Sequence, residues 1–255
     1  DACVFQPDDA PQVFVTFEML QDSLVNVSSK RELVKFLTQY PALRDHIFRR
    51  AEYQDDSVFV NALYDRLTNP HMDTLNLEIK RVFGDASTLK DQFEKAFSNL
   101  RYYYPDFTPP KVQTVISGLL DNDLLVTDSL IIVSLDYFLG RDAKYRPKIY
   151  DYLLRKYDPN DIVPSCMLIY GISNRFNKSQ QSDQTVLADM IKQKGLQNQY
   201  ELIGAGIGGN KVYDLYLRME DDVLAKDPNT VVIWVGVNDV WHKKTSGTGT
   251  DANKF

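Results

Sequence analysis

The sequence predicts an α+β chain: a helical N-terminal part carrying a small β-hairpin or sheet, then a partial βαβ unit. Three observations predict it. Apolar residues recur at helical spacing through the first hundred residues. At Tyr104-Pro105 the pattern switches to short β-branched runs. Over residues 201–239 a short apolar run, a glycine turn, an amphipathic stretch and a second apolar run follow one another.

The chain has 255 residues, 44% hydrophobic and 25% charged, which is the composition of an ordinary globular protein of one large or two small domains. Its net charge of −6 argues against a nucleic-acid partner, because binding phosphates needs a basic surface. No apolar run approaches a transmembrane span. Cys3 and Cys166 lie far apart and form no metal-ligand spacing. The three histidines, His46, His71 and His242, make no HExxH, so the standard zinc-protease motif is absent. Neither a metal nor a cofactor is expected.

Taken in order, Val13–Val15 reads as a short strand. Ser28 or Ser29 caps a helix whose apolar face is Leu33, Val34, Phe36 and Leu37, bent or ended at Pro41. Further helices are predicted at about 43–50, at about 57–67 up to Asn69-Pro70, at about 72–83 up to Gly84, and from Ser87 to about 103. Leu89, Phe93, Phe97 and Leu100 give the last of these a buried face. Strands are predicted at 112–116 and 130–135, with a third at 124–126, and Asp121-Asn122-Asp123 marks a hairpin-like turn. Asp136 stands where a strand hands over to a helix, as a site residue or as a cap. A helix at about 147–156 follows, and a strand-like run, Cys166 to Tyr170, leads into Gly171-Ile172-Ser173.

The densest signal lies further on. Glu201 to Ala205 is short and mostly apolar. Gly206, Gly208 and Gly209 permit a tight turn. From Lys211 to Ala225 apolar and charged residues interleave as on a half-buried helix, which Asp227-Pro228-Asn229 stops. Thr230 to Val237 is an apolar, β-branched run. Strands at 201–205 and 230–237 are expected to be adjacent and parallel. The carboxyl ends of such strands are where chemistry collects, and GIGG and GVND both sit there.

GIGG after one strand and GVND after the next resemble the second and third blocks of the SGNH (GDSL-type) ester hydrolases, over roughly residues 166–255. The resemblance implies a flavodoxin-like α/β/α module in which the Gly209 N–H and the Asn238 side-chain N–H are oxyanion donors. The alternatives are a turn glycine and a turn-forming asparagine that bonds its own backbone. Ser173 stands at a family-like interval before Gly209 and would be the nucleophile, but Ile172 replaces the aspartate of the first block. A serine needs a base. The family's DxxH histidine does not follow before Phe255, so the module is expected to be truncated at its C-terminus. His242 lies near the same sheet edge, as a base or as a solvent-facing loop residue.

A second resemblance covers roughly residues 12–191. Phe83-Gly84-Asp85, YYYPDF at 102–107 followed by PPKV, the pair VQTVISG and DSLIIVSLDYFLG read as a hairpin, DIVP at 161–164 and DQTVLADMI at 183–191 resemble the gliding-motility lipoprotein GldB of the Bacteroidetes. That family implies a metallopeptidase-like fold without its metal site, and a place in the cell envelope or periplasm with motility or secretion components as partners. Cys3 after Ala2 is placed as in a bacterial lipoprotein, so any membrane association would be through a lipid anchor there; the alternative is a free thiol.

The expected organisation is therefore a GldB-like domain over 1–165, its resemblance extending to about 191, and a partial hydrolase module over 166–255. Both resemblances meet within one helix, about 182–194. Three functions stay open: an envelope protein without complete catalytic machinery, an SGNH-type serine esterase acting on acyl or acetyl esters such as acetylated glycans, and a truncated hybrid without activity.

Overall fold

The computed structural model describes residues 10–120, 122–149, 154–171 and 186–246. It is a mixed α+β chain that divides into two compact units, Asp1–Phe176 and Asn177–Phe255.

The first unit starts with strand β1 (Phe17–Met19) and a five-residue helix α1 (Gln21–Val25). Helix α2 (Lys30–Gln39) opens with Ser29, whose hydroxyl accepts the Glu32 N–H while Glu32 reaches back to the Ser28 N–H. Helix α3 (Asp56–Leu67) is capped by the Asp55 carboxylate. Asn69 caps α4 (Pro70–Phe83), whose first residue is proline, so Asn69-Pro70 begins one helix as it ends another. Helix α5 spans Ser87–Tyr103 as the sequence predicts. The helix expected at 43–50 is a π-helical turn, Leu43–Ile47, broken by the left-handed Arg49 (φ 54°) before a 3₁₀ turn at Arg50–Glu52.

The sheet holds β1, β2 (Lys111–Val115), β3 (Leu124–Val126) and β4 (Leu130–Ser134) in the order β1-β2-β4-β3. Strand β4 pairs parallel with β2, Val112 beside Ile131, and antiparallel with β3. The segments read as a hairpin pair, 112–118 and 128–140, are thus parallel neighbours. The hairpin is β3–β4, which turns at Thr127–Ser129 and inserts β4 between β2 and β3. Burial explains why β2 and β4 occupy the centre: Val112, Val115, Ile131, Ile132 and Val133 are all fully buried, as central parallel strands require. The first strand lies at 17–19 rather than 13–15. The Val13 and Val15 N–H groups bond instead to side chains of α5, Ser98 Oγ (3.2 Å) and Glu94 Oε1 (3.1 Å).

An aromatic stack closes the core. Phe93 and Phe97 of α5, Phe107 and Tyr170 follow one another with ring centroids 5.5–5.7 Å apart. Tyr170 reaches this stack from α6 (Ile162–Tyr170), which also buries Cys166. Cys166–Tyr170 is therefore helical rather than a strand: Cys166 and Tyr170 turn inward at i, i+4 spacing, while Leu168 and Ile169 stay exposed. The helix expected over 147–156 is reduced to a 3₁₀ turn at Leu154–Lys156, with 147–149 non-helical and 150–153 outside the described residues.

The second unit contains α7 (Val186–Gln193), α8 (Val212–Asp222), a 3₁₀ turn at Leu224–Lys226 and α9 (Val237–Ser246). The two strands expected to flank α8 do not form. Residues 201–207 and 230–236 carry no regular secondary structure and have no ladder partners among the described residues. Residues of both segments line a shared cavity of about 400 Å³. Val232 (84% exposed) and Trp234 (94%) stay in water, so the burial that holds a parallel pair together is missing.

Candidate functional site

In the second unit the glycine turn and the start of α9 meet at the rim of that cavity, which Gly206, Gly209, Asn210, Arg218, Gly236 and Asn238 help to line. Gly209 has φ 85°, a conformation that a side chain would strain. Three polar side chains hold the rim. Asn238 Nδ2 donates to the Asn210 carbonyl at 2.9 Å. Asp239, 1% exposed, accepts the Val212 N–H at 3.0 Å and so ties the first turn of α8 to that of α9. Arg218 donates to the Ala205 carbonyl at 2.6 Å, to the Asn210 side chain and to Asp222.

Of the predicted site residues, Gly209 and Asn238 both line the cavity, and Asn238 bonds the residue that follows Gly209. The Asn238 N–H predicted to face an oxyanion is engaged with a backbone carbonyl, so a bound acyl group would have to compete with Asn210 for it. Ser173 lies outside the described residues, as do Cys3 and the side chain of His242. What preceded Ser173 in the sequence reading, a strand ending at Tyr170, is the C-terminal turn of α6. Arg218 and Asp239 were not singled out from sequence. Asp239 could have been, since it belongs to GVND; Arg218 is one of several charges on α8, and its contact with Ala205 depends on the fold.

In the first unit Asp136 sits just beyond the end of β4. It neither caps a helix nor faces solvent. Its carboxylate, 0% exposed, accepts the Ser117 N–H (2.9 Å), the Ser117 hydroxyl (2.9 Å) and the Leu119 N–H (2.7 Å). It clamps the turn after β2, where Gly118 (φ 73°) and Leu119 (φ 57°) are both left-handed. Burial pushes the Asp136 carboxyl above its ordinary range, partly offset by these donors. Behind it, burial, and then a hydrogen bond to Asp123, push the Tyr157 phenol well up; burial, and then the Asp123 charge, do the same to the Cys166 thiol, which is held protonated and unreactive. Among the described residues no group of three or more His, Cys, Asp or Glu side chains could hold a metal ion. No described helix is long and apolar enough to cross a membrane.

A family model described as gliding motility protein GldB matches residues 6–197. An acetylxylan esterase from Geobacillus stearothermophilus is 48% identical over 42 residues, 16% of this chain and 19% of the esterase. The crystal structure of an acetyl xylan esterase, AlAXEase, is 75% identical over 25% of this chain and 32% of its own, with a TM-score of 0.25. The chain therefore spans about a fifth of the first esterase and about a third of the second.

Proposed function

We propose, from the premise that this chain belongs to the gliding motility protein GldB family, that it works as a cell-envelope component of gliding and the protein secretion linked to it, without complete catalytic machinery of its own. The observation that carries this is the family match, which covers three-quarters of the chain. Cys3 would be the lipid attachment point, and the surroundings those of the bacterial envelope or periplasm. Its partners would be envelope motility or secretion components. The test is fractionation of cells expressing the chain from its full gene, with and without Cys3→Ala. Wild type should pellet with membranes and the variant should not; equal partition would overturn the anchor.

A second reading, a serine esterase of the SGNH class acting on acyl or acetyl esters such as those of acetylated glycans, is favoured by the short esterase matches. In it Ser173 attacks, and the Gly209 N–H and the Asn238 Nδ2–H receive the oxyanion. It lacks an assigned base, and its Asn238 must first leave the Asn210 carbonyl. Hydrolysis of p-nitrophenyl acetate separates the readings. The envelope reading expects no turnover that Ser173→Ala removes. Serine-dependent turnover well above background would establish the esterase.

A further inference from the structure

The first unit holds a cavity of about 450 Å³, within the range of small-molecule sites, that neither functional reading uses. It opens beside the turn after β2, between the end of α3 and the start of α4. Its floor is apolar: Met72 and Leu75 of α4, both buried, with Leu119. Its wall is polar. Arg66 lines it and donates one N–H to the Gly118 carbonyl at 3.1 Å. A guanidinium has five N–H donors, and no other partner for this one lies among the described residues. Opposite, the His71 ring and the Tyr145 hydroxyl meet at 2.7 Å, their rings edge-on at 5.6 Å. Asp65 supplies the one negative charge in the lining.

This turn is not a free loop. The buried Asp136 carboxylate holds it from inside, and Arg66 holds it from outside. A side chain at Gly118 would be strained at φ 73° and would press on the wall: its Cβ would lie 3.2 Å from Arg66 Cδ and 3.3 Å from Met72 Sδ. The guanidinium is thereby set at the edge of an apolar floor. A planar carboxylate matches its remaining fork, two parallel N–H bonds to two oxygens. Asp65 disfavours a dianion such as phosphate. The floor takes an aliphatic group. We propose that this cavity binds a monocarboxylate bearing a short branched aliphatic chain, with Arg66 gripping the carboxylate. That chemistry is met in a free branched-chain acid and in a polypeptide ending in leucine or valine.

The test is titration calorimetry on the whole chain with 4-methylpentanoate, its primary amide, and a tripeptide ending in leucine with a free C-terminus. Saturable binding of the acid is expected, with the amide weaker by about tenfold or more, ~1.4 kcal/mol. Arg66→Gln should abolish the preference for acid over amide. Asp65→Asn, an exposed change that leaves the Gly118 contact in place, should tighten acid binding several-fold and admit inorganic phosphate. Tighter binding of the tripeptide than of the free acid would identify chain ends as the source; equal or weaker binding would identify free acids. Equal affinity for acid and amide, no saturable binding of any probe, or an Asp65→Asn chain that binds the acid no better would overturn the proposal.

Discussion

Phe97 and Trp234 are both large aromatic residues, Phe97 on an amphipathic helix and Trp234 in an almost unbroken apolar run, yet Phe97 is fully buried and Trp234 is 94% exposed. The same contrast runs through the two units. In the first, β2 and β4 are closed by neighbours on both sides, and α5 and α6 add an aromatic stack. In the second, none of the described apolar side chains belongs to the buried core; Tyr216, Leu217, Val232, Ile233 and Val240 stand in water. What is buried there is polar: Lys211 and Asp239. An apolar pattern therefore predicts a strand only where other elements exist to cover it. The first unit is held by hydrophobic burial. Among the described residues, the second is held by a few hydrogen bonds around a glycine turn.

The most direct way to break that comparison is to delete an aromatic ring from each. Phe97→Ala should cost about 3–5 kcal/mol, because it removes a ring from the middle of a packed stack and leaves a cavity. Trp234→Ala should change stability by no more than about 0.5 kcal/mol, as for any exposed side chain without partners. Denaturant unfolding followed by circular dichroism measures both. A Trp234 cost rivalling that of Phe97 would mean that the second unit has a core after all.

Asp136 comes next in size. Asp136→Ala strands two backbone N–H groups and a hydroxyl in a dry site, at a cost of about 2–3 kcal/mol. The pH dependence distinguishes this loss from simple packing. Because the folded carboxyl titrates above its unfolded value near ~3.9, the unfolded chain releases that proton first as pH rises. The group's contribution is therefore full below ~3.9 and falls as pH rises through the folded pKa. The stability gap between wild type and Asp136→Asn, measured from acid to neutral pH, should narrow in that direction. A gap that widens would mean that the donors outweigh burial.

Much of the first unit was legible because its signals are local. Ser29 and Ser87 announce helix starts, Asn69-Pro70 marks the end of α3, and 3.6-residue spacing marks the buried face of α5. The positions of β2, β3 and β4 were legible too, but not their partners: nothing in VQTVISG or SLIIVSL says whether they run parallel, since that is decided by where β3 lets the chain turn back. In the candidate site GIGG and GVND drew attention to Gly209 and Asn238, and the structure bonds Asn238 to Asn210, the residue after Gly209. The role of Asn210 as the acceptor was not, because a backbone carbonyl leaves no mark in sequence. Cys166–Tyr170 misled for a physical reason: a short apolar run reads alike as a buried strand or as a helix covered on several sides, and only its neighbours choose.

If hydrogen bonds hold the second unit, Arg218 should matter more than any apolar residue of α8. Arg218→Met removes its links to Ala205, Asn210 and Asp222 while keeping most of its bulk. A local cost of about 1–2 kcal/mol is expected, read as faster amide exchange over residues 205–212 with the exchange of β2 and β4 unchanged. Loss of protection in both units together would mean that they unfold as one.

The smallest effect belongs to a charge that the first unit can spare. Asp22 on α1 meets Lys80 of α4 at 2.8 Å and Asn76 at 3.3 Å. The hydrogen bond from Lys80, against some burial and with help from Asn76, holds its carboxyl below the ordinary range. Its sign is thus the reverse of that of Asp136: its contribution is present above ~3.9 and is lost as pH falls through the folded pKa. Both side chains are half exposed, so solvent and salt leave less than about 1 kcal/mol. Asp22→Asn should lower stability slightly at neutral pH, not at all at strongly acid pH, and less in high salt. A loss that persists at acid pH would point to the Asn76 contact rather than the charge, and would make even this exposed corner of the first unit depend on packing.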